Sequence, residues 1–556
     1  MSDNAARPVV PTGKDHQAFP TLTEEQVERV RPLGEVETLA EGQIVFERGQ
    51  READFCIVVR GCIEIFDYNC DSEPEIITTH CEREFTGEID LFSNRKILVS
   101  GRARGDTQII RFCRSDFREL LAAHPDIGEI VTRALIVRRL GILEQNLGGS
   151  YLVGKKRDPR LLQLQRFLQG NGYPVRVLRA DEDEMADELI RRHDVTDADL
   201  PLFLCHGEEV LKRPSVIEVG ETTGIVEWPS TNETYDLAVI GGGPGGMAAA
   251  VYGASEGLRT VVLERQSPGG QASTSSKIEN YLGFPNGLSG QELAGRAQLQ
   301  AQKFGATLAL PMSVDQIECT SPPYNVQYEG GEILAKSIVL ATGATYRKLG
   351  LGNEAQYEGS GIHYAATAME AGLCEGEEVV VVGGGNSAGQ AAVYLSNHAR
   401  HVHMLIRGDS LAASMSDYLV QRIDASDCIS LHRNTEIIAL DGETSLESMV
   451  WRNRLDGQET THSIGNLFLM IGAVPNSSFL NGCVLTDQRG FICTGNEVAG
   501  TSAWKQDRLP HPFENSLPNV FAVGDVRAGS VKRVASAVGE GSICVQFVHR
   551  ALAEMT

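Results

Sequence analysis

The chain has 556 residues, 42% hydrophobic and 22% charged, enough for three or four globular domains. Its 74 Asp and Glu against 50 Lys and Arg give a formal charge of −24, a surface that disfavours nonspecific contact with nucleic acid or anionic lipid. The N-terminal stretch MSDNAARPVVPTGKDHQAFP has no apolar signal region and no apolar run is long enough to span a bilayer, so a cytoplasmic protein with no nucleic-acid or membrane partner is expected.

In chain order, residues 20–145 read as short β-rich runs between glycines (QIVFERGQ, FCIVVRGCIEIFDY, EIITTH), followed by helical spacing from Ser115 to Leu147. The Gly-Gly-Ser at 148–150 marks a boundary. Residues 151–226 then read strand, helix, strand, helix, strand, strand, with Asp158 capping the first helix and Pro159 in its first turn. A polar linker covers 227–234. From Tyr235 onward strands and helices alternate, with Gly-rich turns at their junctions, as in a doubly wound α/β sheet.

The 12 cysteines include no Cys-x-x-Cys pair and no Cys/His cluster at zinc spacing. Reduced thiols and no metal are expected. His398, His401 and His403 lie close together but lack partners at ligand spacing, and read as surface or strand residues.

Two segments carry chemistry. After the strand YDLAVI come Gly241-x-Gly243-x-x-Gly246 and a helix, and a second strand ends at Glu264. The first glycine permits the tight turn, the second admits a pyrophosphate to the backbone, and the third brings helix and strand together. The acid faces a ribose hydroxyl. A second copy, Gly383-x-Gly385-x-x-Ala388 with Asn386 and Ser387 opening its helix, follows EVVVV. Its second strand ends in Arg407 rather than an acid, which favours a 2′-phosphate. Two fingerprints imply two dinucleotides, a flavin and a nicotinamide.

Residues 235–556 resemble the low-molecular-weight thioredoxin reductases. GGQASTSSKIENYLGFP is similar to that family's flavin segment and implies FAD contacts from Gly269, Gly270, Gln271 and Asn280. VLATGA, with Ala341 and Gly343, resembles the close of the first flavin half. FAVGDVRAGSVKRVASAVGEGS resembles the C-terminal flavin motif, which places Gly524 and Asp525 on the ribityl chain and Arg533, Val534 and Ala535 beside the ring. The resemblance implies FAD with NADPH or NADH. The family carries Cys-Ala-Thr-Cys-Asp before its second fingerprint. Here the chain reads Ala365-Ala366-Thr367-Ala368-Met369, so both thiols and the acid are replaced, and dithiol exchange needs two sulfurs. His363 and Tyr364 are the candidate proton donors nearby; Cys374 stands alone in a turn. Of the arginines that the family sets on the 2′-phosphate, only Arg407 survives among Ile406, Gly408 and Ala412.

The segment AEGQIVFERGQREADFCIVVRGCIEIF, with Gly42, Gly49 and Gly61 at its turns, resembles the cyclic-nucleotide-binding domain. By that resemblance Gly87, Glu88 and Arg95 would hold a cyclic nucleotide. The residues after the arginine, Ile97 and Leu98, are apolar where the family has small or hydroxyl residues, and Asp90 adds negative charge. No helix-turn-helix follows, which argues against a transcription factor. The middle segment resembles the glutaredoxin/thioredoxin fold, with Pro201 as its cis-proline, but has KKRDP where the redox pair belongs.

The expected fold class is therefore α/β multidomain. A cyclic-nucleotide-binding β-roll (1–147) and a small thioredoxin-like domain without Cys-x-x-Cys (148–231) precede a Rossmann-like FAD domain (232–346 and 470–556) with an NAD(P) domain (347–469) inserted. The expected function is an FAD-dependent NAD(P)H oxidoreductase without an internal dithiol. Electrons would pass from flavin to an external acceptor such as ferredoxin, flavodoxin or thioredoxin, under control of a cyclic nucleotide and in a homodimer. Two alternatives stand beside it: a thioredoxin-disulfide reductase acting directly from flavin, and a non-enzymatic flavin- and nucleotide-binding sensor.

Overall fold

The computed structural model describes the chain apart from residues 1–14, 52–53, 68–73, 88–90, 92–94, 145–149, 157, 206–208, 276–277, 279–280, 359, 365, 367, 413 and 556. It divides into two compact units: residues 1–155, 163–228 and 309–311, and residues 156–162, 229–308 and 312–556.

In the first unit the β-roll is built on two long antiparallel strands, Phe55–Asp67 and Ser100–Phe112. Glu35–Leu39 and Ile44–Phe46 pair with the second of these, and Glu75–Cys81 with the first. Phe55 packs against Phe85, Phe112 and Phe117, with ring centroids 5.4, 5.8 and 4.7 Å away. All four rings are fully buried. Gly61 lies where the ladder slips register, at φ +82°; a Cβ there would stand 2.6 Å from the Thr107 hydroxyl, so the bulge requires glycine. Helices Arg114–Ala123 and Pro125–Glu144 close the roll.

The middle segment forms a four-stranded sheet in the order Arg176–Arg179, Tyr151–Gly154, Leu202–Cys205, Glu209–Lys212. The first pair is parallel and the other two are antiparallel. The Leu200–Pro201 peptide is cis. The structure adds a helix that the sequence reading lacks, Val216–Thr223. Ser215 accepts from the Glu218 N–H while Glu218 accepts from the Ser215 N–H, a reciprocal cap, and Gly224 ends the helix in the left-handed region.

In the second unit, a seven-stranded sheet runs Thr307–Ala309, Thr260–Leu263, Tyr235–Ile240, Gly331–Leu340, Tyr324–Tyr328, Val314–Ile317, with Val520–Ala522 also paired to Gly331–Leu340. The strand Tyr235–Ile240 is parallel to both of its neighbours, and its residues are buried except Asp236, as a sheet covered on both faces demands. An all-parallel sheet, Ile362–His363, Leu467–Leu469, Glu378–Val382, His401–Leu405, Ile429–His432, carries the second fingerprint. An antiparallel ribbon, Ala344–Tyr346 with Ala473–Pro475, pairs the chain segments that enter and leave the inserted domain.

The expectation of reduced thiols is corrected at two places. Cys62 and Cys81 face each other across neighbouring strands, with Cα atoms 4.2 Å apart, and are joined. Cys319 and Cys483 are joined as well. Sequence separations of 19 and 164 residues hide both pairs, because only strand pairing and loop placement bring the sulfurs within reach. Among the described residues no group of His, Cys, Asp and Glu could hold a metal ion, and no helix is long and apolar enough to cross a membrane.

Candidate active site: two dinucleotide cradles and a β-roll cavity

The first cradle follows from three glycines whose roles differ. Gly241 sits at φ +100°, and a Cβ on it would stand 2.5 Å from the Ala341 carbonyl oxygen. Gly246 is pressed against the turn itself, with a Cβ position only 1.9 Å from the Gly241 carbonyl oxygen. Gly243 faces open space and caps the helix Pro244–Ser255. The helix N-terminus, with its first-turn amides, thus opens onto room for an anionic group that no side chain fills, which is what a bound pyrophosphate requires.

Glu264 ends the neighbouring strand. Its carboxylate accepts from the Gly242 N–H at 2.7 Å and the Gln266 N–H at 2.9 Å. Burial pushes its pKa up, opposed by those two backbone bonds, so the acid the sequence assigned to a ribose also ties down the Gly-rich turn. Gly269 and Gly270 continue this wall: the Gly269 N–H donates to the Gly242 carbonyl at 2.7 Å, and a Cβ on Gly270 would stand 3.1 Å from Gly243 Cα. Gln271 donates from its side-chain amide to the Ala344 carbonyl. Ala341 donates to Ile240, and Gly343 accepts from the Asn476 N–H.

From the C-terminal motif, Gly524 has φ +71°, and its N–H donates to Glu540 at 2.7 Å. Glu540 also holds Arg527, 2.5 Å away. Asp525 is partly buried and its pKa is raised by that burial, with Lys532 pulling the other way. Arg533 caps the helix Val534–Ala553, whose first turn holds Val534 and Ala535. Asn280 lies outside the described residues. The sequence reading missed Glu540 and Asn476, whose contacts with Gly524 and Thr342 follow only from the closed fold.

The second cradle repeats the first with one change. Gly383 has φ +142° and a Cβ position 2.3 Å from the Met470 carbonyl oxygen. Gly385 caps the helix Asn386–Leu395, which holds Ser387 in its first turn. Ala388 is fully buried where the first copy has Gly246. The Asn386 side chain accepts from the Ser416 N–H and hydroxyl at 2.8 and 3.1 Å, fixing the rim. Arg407 is exposed, just past the end of the strand His401–Leu405. Arg454, which no motif flagged, donates to the Arg407 carbonyl at 3.3 Å and brings a second guanidinium to that strand end.

Of the candidate proton donors, His363 is buried with its ring 4.9 Å from Phe468. Tyr364 donates to Glu358 at 2.9 Å; burial, then that carboxylate, push its phenol well above the ordinary value. His363 ends the short strand Ile362–His363 of the inserted domain, and Tyr364 follows it directly. Ala365 and Thr367 lie outside the described residues; Ala368 and Met369 open the helix Ala368–Leu373. Cys374 is fully buried in that domain's apolar core, with its sulfur 3.2 Å from the Glu370 carbonyl, which is no place for a reactive thiolate.

In the first unit a cavity opens inside the β-roll beneath Phe46, Ile65, Ile77, Leu91, Ile97 and Val99. Gly87, at φ +122°, lies on its wall, and Glu88 lies outside the described residues. Arg95 also lines the cavity but is 9% exposed, and it donates to the Asn171 carbonyl at 2.6 Å. Arg138, from the helix Pro125–Glu144, donates to the carbonyls of Ala18, Phe85 and Gly87 and covers the rings of Phe19 and Phe85. Its role is invisible in sequence because its partners are backbone atoms.

The family model described as pyridine nucleotide-disulphide oxidoreductase matches residues 235–541, more than half of the chain. This chain belongs to that family. A second model, the cyclic nucleotide-binding domain, matches residues 36–124. Over 316 residues the chain is 34% identical to a thioredoxin reductase of Peptoclostridium acidaminophilum, covering 56% of this chain and 94% of that one. It is 35% identical over 324 residues to NADPH-dependent thioredoxin reductase 3 of Arabidopsis thaliana, covering 57% of this chain and 58% of that relative, so it spans little more than half of the latter's length. The crystal structure of Lactococcus lactis thioredoxin reductase superposes with a TM-score of 0.52 at 30% identity, over 58% of this chain and 100% of that one. The chain is thus an FAD-dependent pyridine-nucleotide oxidoreductase of thioredoxin reductase type. The open Gly243 cradle, the Glu264 carboxylate and the Gly383 turn fit its family's cofactors, FAD and NADPH.

Proposed function

We propose that this flavoprotein oxidises NADPH and delivers the electrons from its flavin directly to an external acceptor, under control of a ligand bound in the N-terminal cavity. The observation that carries this reading is Ala365 and Ala368 in a chain whose two cradles are otherwise intact. FAD, when bound, supplies a two-electron acceptor for the nicotinamide hydride. The chain's part is to hold the two dinucleotides: Gly241, Gly243, Gly246 and Glu264 on one, Gly383, Gly385 and Arg407 on the other. Without thiols at 365 and 368 there is nothing to relay electrons by disulfide exchange at that position. The disulfide Cys319–Cys483 starts two residues beyond the edge strand Val314–Ile317, which two further strands separate from the fingerprint strand; this supports a structural role.

The identity to thioredoxin reductases favours one further reading, in which a thioredoxin-like disulfide meets the flavin itself. One experiment separates them. The FAD-loaded protein is mixed anaerobically with NADPH, with and without cyclic AMP, and flavin absorbance is followed. Bleaching that ferredoxin or flavodoxin reverses, and thioredoxin disulfide does not, is the expected result. Reversal by thioredoxin disulfide would establish the second reading, and no bleaching under any condition would sink both and leave a nucleotide-binding sensor.

A further inference from the structure

Cys62 and Cys81 stand directly opposite each other where the strand Phe55–Asp67 pairs with Glu75–Cys81. Side chains alternate between the two faces of a strand, so the register sorts this pair's residues by face. Cys62 and Glu64 share one face with their partners Cys81 and Thr79, and Arg104 and Arg102 continue the row on the next strand. That face is polar, and both cysteines are partly exposed on it. The intervening residues Ile63, Ile65, Thr78 and His80 are buried. Of these, Ile65, Thr78 and His80 line the β-roll cavity. The disulfide and this part of the cavity wall are thus opposite faces of one pair of strands. Glu75–Cys81 also ends the sheet order, and among the described residues its ladder is with Phe55–Asp67 alone. An edge strand is restrained from one side, so a covalent bond at its last residue bears on the whole strand.

The backbone on either side of the bond is anchored without it. The Cys62 N–H donates to the Thr107 hydroxyl at 3.3 Å, and that hydroxyl donates to the Cys62 carbonyl at 3.0 Å. The Cys81 N–H donates to the Glu84 carboxylate at 2.9 Å, and the Glu84 N–H to the Cys81 carbonyl at 2.9 Å. These contacts keep the two residues, whose Cα atoms are 4.2 Å apart, opposite each other when the sulfurs part, in place to join again.

We propose that Cys62–Cys81 is a reversible dithiol–disulfide switch, operated by an external dithiol, that sets how firmly the cavity-lining edge strand is held. A thiolate of the reductant attacks one sulfur, the Cys62–Cys81 bond breaks as a mixed disulfide forms, and the departing cysteine takes up a proton. The reductant's second thiolate then closes its own disulfide and releases the other cysteine, which is protonated in turn. Two electrons and two protons pass from the dithiol to the cysteine pair, and an external disulfide runs the exchange backward. A monothiol is a poor operator. In its mixed disulfide the freed cysteine stays opposite its partner at high effective concentration and expels the thiol again. The switch does not depend on which ligand the cavity takes or on how the flavin is reoxidised.

The test uses the full-length FAD-loaded protein, without NADPH and without denaturant, treated with dithiothreitol or with reduced glutathione at equal thiol concentration. Cys62 and Cys81 are scored by alkylation and peptide mass spectrometry, and backbone amide exchange is followed over residues 75–81. Dithiothreitol is expected to open the bond fully and glutathione only in part, and glutathione disulfide to restore it once dithiothreitol is removed. Exchange over 75–81 should quicken about tenfold on reduction, with the helix Pro125–Glu144 unchanged. The double variant Cys62→Ser, Cys81→Ser should match reduced wild type and be indifferent to dithiothreitol. A bond that opens only in denaturant, that does not re-form, or that opens without faster exchange overturns the switch. So does a double variant that exchanges at the oxidised wild-type rate or still responds to dithiothreitol. Equal opening by glutathione overturns the dithiol as its operator.

Discussion

Gly541 faces Gly245 where the helix Val534–Ala553 crosses the helix Pro244–Ser255, and a Cβ on Gly541 would stand 2.0 Å from the Gly245 carbonyl oxygen. The C-terminal helix therefore sits directly on the helix that opens the first cradle, and the flavin motif at 524–535 is set against the fingerprint at 241–246 by contact between backbones.

That contact predicts the effect of Gly541→Ala. One methyl forces the two helices apart, at a cost of about 1–3 kcal/mol for an overpacked contact. The expected outcome is a lower melting temperature together with earlier flavin release, read as the rise of free FAD fluorescence on heating. NADPH binding, which belongs to the inserted domain, should change little.

Glu264→Gln replaces an oxygen that accepts a backbone N–H with an amide that cannot accept from both partners. Hydrogen bonds to a charged acceptor contribute about 1.5–3 kcal/mol, so FAD affinity should fall by roughly ten- to a hundredfold. Equilibrium dialysis of the reconstituted apoprotein measures this, and an unchanged affinity would show that the Gly242 turn holds without the acid.

Arg407→Ala should raise the KM for NADPH about tenfold, the loss of one charge-assisted contact to a phosphate, while leaving the KM for NADH and both kcat values near wild type. Arg454→Ala should do less, since its guanidinium is engaged by the Arg407 carbonyl at 3.3 Å and the Glu436 carboxylate at 3.6 Å. Equal effects on NADPH and NADH would mean that Arg407 does not read the 2′-phosphate.

The inserted domain also predicts a pH dependence. His432 is partly buried beside His403, and both stand near Trp451. Burial first, then His403, His462 and His401, depress its pKa to about 4. His403 and His462 are lowered as well, chiefly by burial, with Glu378 opposing in both. A histidine near 6.5 when unfolded and near 4 when folded binds more protons in the unfolded chain between those values. Stability is fully present above about pH 6.5 and is lost as pH falls toward 4. The melting temperature should fall over that window, and His432→Gln should flatten the slope.

Much of the flavoprotein half is determined by the sequence alone. Gly241, Gly246 and Gly383 are legible because a local steric demand, a positive φ or a backbone approach under 3 Å, leaves glycine as the residue that fits. The missing thiols at 365 and 368 are legible for the same reason: chemistry that needs sulfur can be read from its absence. The helix Val216–Thr223 was within reach through its Ser215–Glu218 cap, but it is short and follows a strand directly. What only the tertiary structure decided are contacts between residues far apart in the chain. Glu540 on Gly524, Arg138 on the carbonyls of Ala18, Phe85 and Gly87, and the Cys62–Cys81 and Cys319–Cys483 pairs belong to no motif. Their partners are backbone atoms or distant side chains, and sequence encodes those meetings only through the whole fold.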